Sequence, residues 1–284
     1  MPTARTLLLT TFAMLAFAGN SLLCRAALRD TGIDWASFTV VRLCAGALTL
    51  WLLVRATRGR DASGSGDWIS AVALFVYAAA FSWAYLALPA GLGALLLFGA
   101  VQATMLGYAL ARGERFSQAQ VAGLVLALGG LVGLLLPGAS APPAPAALLM
   151  LCAGIAWGVY SLRGRRAGDP LRVTSGNFLR TVPLALALAT LTAAGGRIDA
   201  AGLTWALASG ALASGLGYAV WYSALPGLTA STAASVQLSV PVIAALGGVA
   251  LLGEPMTMRL ALAGSAVLGG IALVIRARAA GPAR

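Results

Sequence analysis

The chain has 284 residues, 60% of them hydrophobic and 10% charged, with a mean hydropathy of +0.90 and a formal net charge of +11. Soluble domains run near 45–50% apolar and about 25% charged, so this much apolar surface excludes a water-soluble core. The positive charge is all Arg, spread through short connectors, which excludes the clustered basic face of a nucleic-acid binder.

Apolar runs of about 17–23 residues can cross a hydrocarbon core near 30 Å thick, and ten follow one another. Span 1 (6–26) holds Asn20 and Ser21 at mid-depth, and span 2 (36–55) carries Arg42 about six residues in. Span 3 (67–87) offers Tyr77, Ser82 and Tyr85, and span 4 (90–111) offers Gln102. Span 5 (119–136) is glycine-rich, with Gly123, Gly129 and Gly133. Span 6 (146–163) carries Trp157, Tyr160 and Ser161, and span 7 (173–194) carries Arg180. Span 8 (202–222) offers Tyr218, Trp221 and Tyr222; span 9 (229–252) holds Gln237 and Pro241; span 10 (260–276) has Gly264 and Gly269. The runs are too long and too evenly apolar for barrel strands, and helices satisfy their backbone groups internally, as lipid demands.

The second five spans repeat the first. Tyr-x-Ala-Leu-Pro occurs at Tyr85–Pro89 and at Tyr222–Pro226, 137 residues on, and each copy precedes an apolar run ending in Gly-Glu, at 113–114 and 253–254. Ala16-Phe17…Ser21-Leu22…Arg25 matches Ala156-Trp157…Ser161-Leu162…Arg165. Ala16-Phe17-Ala18 also looks like a signal cleavage site, but a removable signal would not be copied into mid-chain, so span 1 is expected to stay. An odd number of spans per copy predicts two inverted five-helix repeats, residues 1–138 and 139–284, with a substrate site between them near the midplane. With the N-terminus in the cytoplasm, thirteen connector Arg fall inside and four outside, which predicts cytoplasmic termini in a bacterial-type inner (plasma) membrane.

These repeated blocks resemble the EamA domains of the drug/metabolite transporter superfamily, over nearly the whole chain. Within it the chain looks most like the YddG-type aromatic amino-acid exporters, chiefly around Trp157 and Gly158. The resemblance implies a basket-like bundle of ten helices around a central cavity built mainly by spans 1, 3, 4, 6, 8 and 9. It departs at Pro241, which has Val101 as its counterpart in the first half.

The fold class expected is an all-α membrane protein with ten transmembrane helices, and the function that of an amino-acid transporter working by alternating access. Aromatic and other neutral amino acids are the first candidates, with a broad drug or organic-cation exporter as the alternative. Expected substrate-binding residues are Asn20, Tyr77, Ser82, Gln102, Trp157, Tyr160, Tyr218 and Gln237, uncharged groups that can hydrogen-bond a zwitterion; each could instead serve only interhelical bonding. Pro241 is expected to gate by freeing the Gln237 carbonyl four residues back. Arg42 and Arg180 would cap backbone carbonyls or snorkel, or alternatively meet a substrate carboxylate. The eight acids fall in connectors or at span edges, so no proton-coupling residue is expected inside the bundle. An enzyme would need a nucleophile with a base or a metal; there is no His, and Cys24, Cys44 and Cys152 read as buried thiols without ligand spacing. No cofactor and no metal are expected. The partners are a small-molecule substrate and membrane lipid, not nucleic acid, and a monomer is the simplest assembly.

Overall fold

The computed structural model describes residues 4–58, 66–113, 115–138, 141–164, 169–192, 195–228, 233 and 236–280. Ten helices follow in chain order: α1 (Ala4–Asp30), α2 (Trp35–Arg58), α3 (Trp68–Ala84), α4 (Ala90–Ala111), α5 (Gln118–Leu135), α6 (Ala144–Gly164), α7 (Pro170–Thr192), α8 (Ala200–Ala224), α9 (Ser239–Leu252) and α10 (Met258–Ala280). There is no strand among the described residues. Seven helices are long and apolar enough to cross a membrane, while α3 and α9 are shorter apolar helices. The remaining one, α7, is 23 residues long but carries Arg172, Asn177 and Arg180.

Acidic and hydroxyl caps in the connectors start several of these helices, because the first backbone N–H groups of a helix have no partner within it. Asp34 accepts from the N–H groups of Ala36 and Ser37 at the head of α2. Asp67 and Asp199 do the same for α3 and α8, and Ser117 and Gln120 form a reciprocal capping box on α5. Both Tyr-x-Ala-Leu-Pro copies are punctuation. The first makes the turn between α3 and α4, with Tyr85 closing one helix and Pro89 preceding the next; the second runs from the end of α8 into the short 3₁₀ turn Leu225–Gly227.

Helices pack chiefly on helices from the other half of the sequence. α5 lies on α10, α2 on α7, α4 on α9, α3 on α6 and α1 on α8, and α6 also packs on α4. Small residues permit the close approaches. A methyl on Gly123 would lie 2.6 Å from the Gly270 carbonyl oxygen, and one on Gly130 would lie 2.8 Å from that of Ala263. Methyls added to Gly129, Gly133 and Gly269 would have nothing within 4 Å, and one on Gly264 would meet Leu95 of α4.

Two local features depart from the expected helices. Residues 209–216 of α8 wind as a π-helix, a form that recurs at functional sites. The expected ninth span, 229–252, is interrupted at Leu238: Ala233, Val236 and Gln237 are helical, Leu238 is a turn, and α9 runs from Ser239; residues 229–232 and 234–235 lie outside the described ones. Pro241 therefore sits in the first turn of α9, where the missing N–H costs little, rather than inside a helix. The proline interior to a helix is Pro183, in α7.

Candidate functional site

A cavity of about 550 Å³ occupies the middle of the bundle, large enough for a drug-sized or smaller solute. Its wall includes residues of α1, α3, α4, α6 and α8, together with Ala233 and Gln237 ahead of α9. Seven of the eight residues expected to bind substrate line it: Asn20, Tyr77, Gln102, Trp157, Tyr160, Tyr218 and Gln237. Ser82 does not. It is fully buried, and its hydroxyl donates to the Ala78 carbonyl one turn back at 2.9 Å. Tyr85 is likewise enclosed and donates to the Ala90 carbonyl oxygen. Pro241 is buried but is not on the wall.

Aromatic rings make up the apolar part. Trp157 is the hub, with ring centroids 4.8 Å from Tyr77, 5.3 Å from Tyr160 and 5.3 Å from Tyr218. Phe17 meets Tyr218 and Trp221 edge-on. Gly154 and Gly158, one turn apart on α6, let that helix press against α4, where added methyls would lie 2.5 Å from Ala100 and 2.8 Å from Thr104. The close approach brings Trp157 to the cavity wall.

The polar part is a relay across four helices, α1, α2, α3 and α8. Ser209 donates to the Asn20 side chain at 2.7 Å; Asn20 donates to the Tyr77 hydroxyl at 3.4 Å; Arg42 donates to the same hydroxyl at 3.1 Å and to Ser214 at 3.4 Å. The π-helix makes this geometry. Residues five apart on an α-helix diverge by roughly 140°, yet Ser209 and Ser214 both turn inward, and Gly210 and Gly215 both press on α2. The sequence carries a signal for it, Ser-Gly repeated at 209–210 and 214–215.

Arg42 does not snorkel. It is 2% exposed, with its guanidinium 4.9 Å from the Phe81 ring centre and 5.3 Å from that of Tyr77. Arg180, by contrast, donates to the Gly176 carbonyl in its own helix. No Asp or Glu is among the residues lining the cavity.

The two ends of the cavity differ. At one end Ser161, Gly164 and Pro170 line it, beside the contact of Arg163 with Asp67 and Ser70 at the start of α3. At the far end of α3 a clasp joins α1 to two connectors, α3–α4 and α9–α10. Arg25 donates to Glu254 and to the carbonyls of Tyr85 and Leu86, while Glu254 also accepts from the Ala90 N–H. Gly253, at φ +63°, turns the chain so that the Glu254 N–H returns to the Gly248 carbonyl; a side chain there would meet the left-handed penalty. The expected Gly113-Glu114 counterpart involves residue 114, which lies outside the described ones.

Residues 144–276 match the EamA-like transporter family. Over 284 residues, all of this chain and 99% of the other, the chain is 62% identical to an uncharacterized protein of Pseudomonas aeruginosa. It is 30% identical over 170 residues to an uncharacterized transporter of Archaeoglobus fulgidus, covering 58% of this chain and 60% of that one. A protein of known crystal structure shares the fold, with a TM-score of 0.68 at 20% identity over 98% of this chain and 100% of its own. The chain thus belongs to one family with the Pseudomonas aeruginosa protein, and its residues 144–276 form an EamA-like transporter domain.

Proposed function

We propose that the chain transports amino acids or closely related small solutes, aromatic and other neutral amino acids first, by alternating access through this cavity. The observation that carries the reading is a roughly solute-sized chamber walled by rings and uncharged polar groups, clasped at one end and lined at the other by the last turn of α6 and the first residue of α7. Binding energy would come from ring contact, worth about 0.5–1.5 kcal/mol per pair beyond area, and from hydrogen bonds to the uncharged polar groups of the wall.

Two halves inverted in the membrane, 1–138 and 139–284, suit such a mechanism. The pairing of α2 with α7, α4 with α9 and α5 with α10 supports that arrangement, since each helix meets its own counterpart. Cytoplasmic termini in a bacterial-type inner membrane follow from the Arg distribution, and would make the clasped end the outer one. Pro241 then acts at the head of α9, holding the helix start where Gln237 can reach the cavity. A monomer suffices for this reading.

A broad drug or organic-cation exporter is the second reading, favoured by the aromatic wall, which can hold cations. Against it, the lining residues include no carboxylate. The same absence supports gradient-driven movement without proton coupling.

Purified protein in liposomes tests the proposal. Preloaded unlabelled phenylalanine should drive counterflow of labelled phenylalanine, with no accumulation powered by an imposed pH gradient. Absence of flux for any neutral amino acid sinks the reading, and uncoupler-sensitive accumulation sinks the mechanism.

A further inference from the structure

We propose that Arg42 is the anion-binding group of this cavity and that the transported solute is an aromatic or apolar carboxylate whose amino group is dispensable. The inference rests on the transport reading above and deepens it. The Arg42 guanidinium brings a positive charge into the bundle, where it is 2% exposed. A buried charge is normally paired, because leaving it unpaired forfeits its solvation. Among the described residues Arg42 forms no ion pair, and its Nη1 has no hydrogen-bond partner. What it does touch are neutral groups of the cavity wall: the Tyr77 hydroxyl, the Ser214 hydroxyl and the Phe81 ring.

The Tyr77 hydroxyl sharpens the point. It accepts from both Asn20 and Arg42, which uses its two lone pairs and leaves its own proton to donate. Arg42 is not itself among the lining residues; it stands directly behind Tyr77, Phe81 and Ser214, which are, so a carboxylate that displaces this thin part of the wall meets two donors, Nη1 of Arg42 and O–H of Tyr77, the arrangement that it accepts with both oxygens. Trp157, 4.8 Å from the Tyr77 ring, continues the same wall and offers an apolar solute body its contact surface. An ammonium group finds no acid among the lining residues and is left with ring faces alone. An amino acid would therefore be held by its carboxylate and ring, and removing the amine should cost nothing.

Three probes that share a phenyl ring separate the possibilities: phenylalanine, 3-phenylpropionate and phenethylamine, each titrated against the full chain in lipid nanodiscs by tryptophan fluorescence and thermal shift. The expected ranking places 3-phenylpropionate at or above phenylalanine, with phenethylamine at least tenfold weaker. Arg42→Gln should weaken both carboxylates at least tenfold and leave phenethylamine unchanged or improved, while Arg42→Lys should keep part of the preference. Phenethylamine binding as tightly as 3-phenylpropionate to the wild type overturns the proposal, and that ranking needs no variant to fold. So does an Arg42→Gln protein that folds and keeps the wild-type ranking. The transport reading fails separately, when the probes bind in the expected order but none crosses a liposome membrane.

Discussion

Arg25 Nε lies 3.1 Å from Glu254 Oε1, with the two side chains 13% and 7% exposed, and this pair ties α1 to the connector between α9 and α10. Each partner has further bonds. Arg25 Nη1 donates to Tyr85 and Leu86 carbonyls at 2.9 and 3.0 Å, and Glu254 Oε2 accepts from the Ala90 N–H at 2.8 Å. Arg25, the Tyr85–Pro89 turn and Glu254 are members of the three repeated blocks, so motifs far apart in the chain meet at one point.

Breaking that pair should therefore open one end of the cavity. Removing one member of a buried pair costs about 3–5 kcal/mol, and the exposure here, though small, places the cost at or below the lower end. Glu254→Gln should lower the melting temperature and raise the labelling rate of a cysteine placed at Ser21 from the clasp side at least tenfold. Gly248→Ala, whose methyl would lie 2.6 Å from Glu254 Oε2, should act in the same direction. Unchanged labelling in both variants would assign the clasp to static packing.

Trp157→Ala removes the hub of the aromatic wall and should weaken phenylalanine binding about tenfold or more, corresponding to roughly 1.4 kcal/mol, while Trp157→Phe keeps most of it. Titration of both variants in nanodiscs checks this. Equal losses in the two would point to a packing role for the indole.

Pro241→Ala should leave protein yield unchanged and slow counterflow, because alanine lets α9 run through the Leu238 turn into the helical residues Val236 and Gln237 and draw Gln237 from the wall. Liposome flux normalised to inserted protein is the measurement. Parallel loss of yield and flux would make the proline a folding residue.

Asp34 joins two connectors: its carboxylate accepts from the Arg197 N–H at 2.7 Å as well as capping α2. Partial burial pushes its carboxyl upward, but the hydrogen bonds from Ser37, Arg197 and Ala36 outweigh it and hold the group below the usual carboxylate range. A depressed folded value stabilises the protein fully above the unfolded value near 3.9, and that contribution is lost as pH falls through the folded value. Asp34→Ala should lower the melting temperature at pH 7, and the gap from wild type should close as pH drops below about 4. A gap independent of pH would mean that charge at Asp34 is immaterial.

Much of the architecture was legible because lipid imposes simple rules. Length and hydropathy located the helices within a few residues, and the polar residues inside apolar runs led to seven members of the cavity wall. Ser82 misled because a serine in a helix can satisfy itself on the carbonyl one turn back, which leaves the same sequence trace as a ligand-facing hydroxyl. Around Pro241 the sequence shows less: hydropathy cannot reveal the turn at Leu238 that separates helical Gln237 from the start of α9. The burial of Arg42 was hidden because its depth along α2 suits snorkelling, and only the π-helical turn of α8 reveals which side it faces.

Interleaving of the halves has a consequence for biogenesis. Arg42 and Ser214 are 172 residues apart in the chain, and at roughly 5–20 residues per second the ribosome needs on the order of ten to thirty seconds to make the second after the first. During that interval the guanidinium has left the exit tunnel, but the part of α8 that holds Ser214 has yet to be synthesised. The nascent protein must therefore be sheltered at the insertion site until its later helices arrive, and depletion of the insertion machinery should trap it as a protease-sensitive amino-terminal fragment.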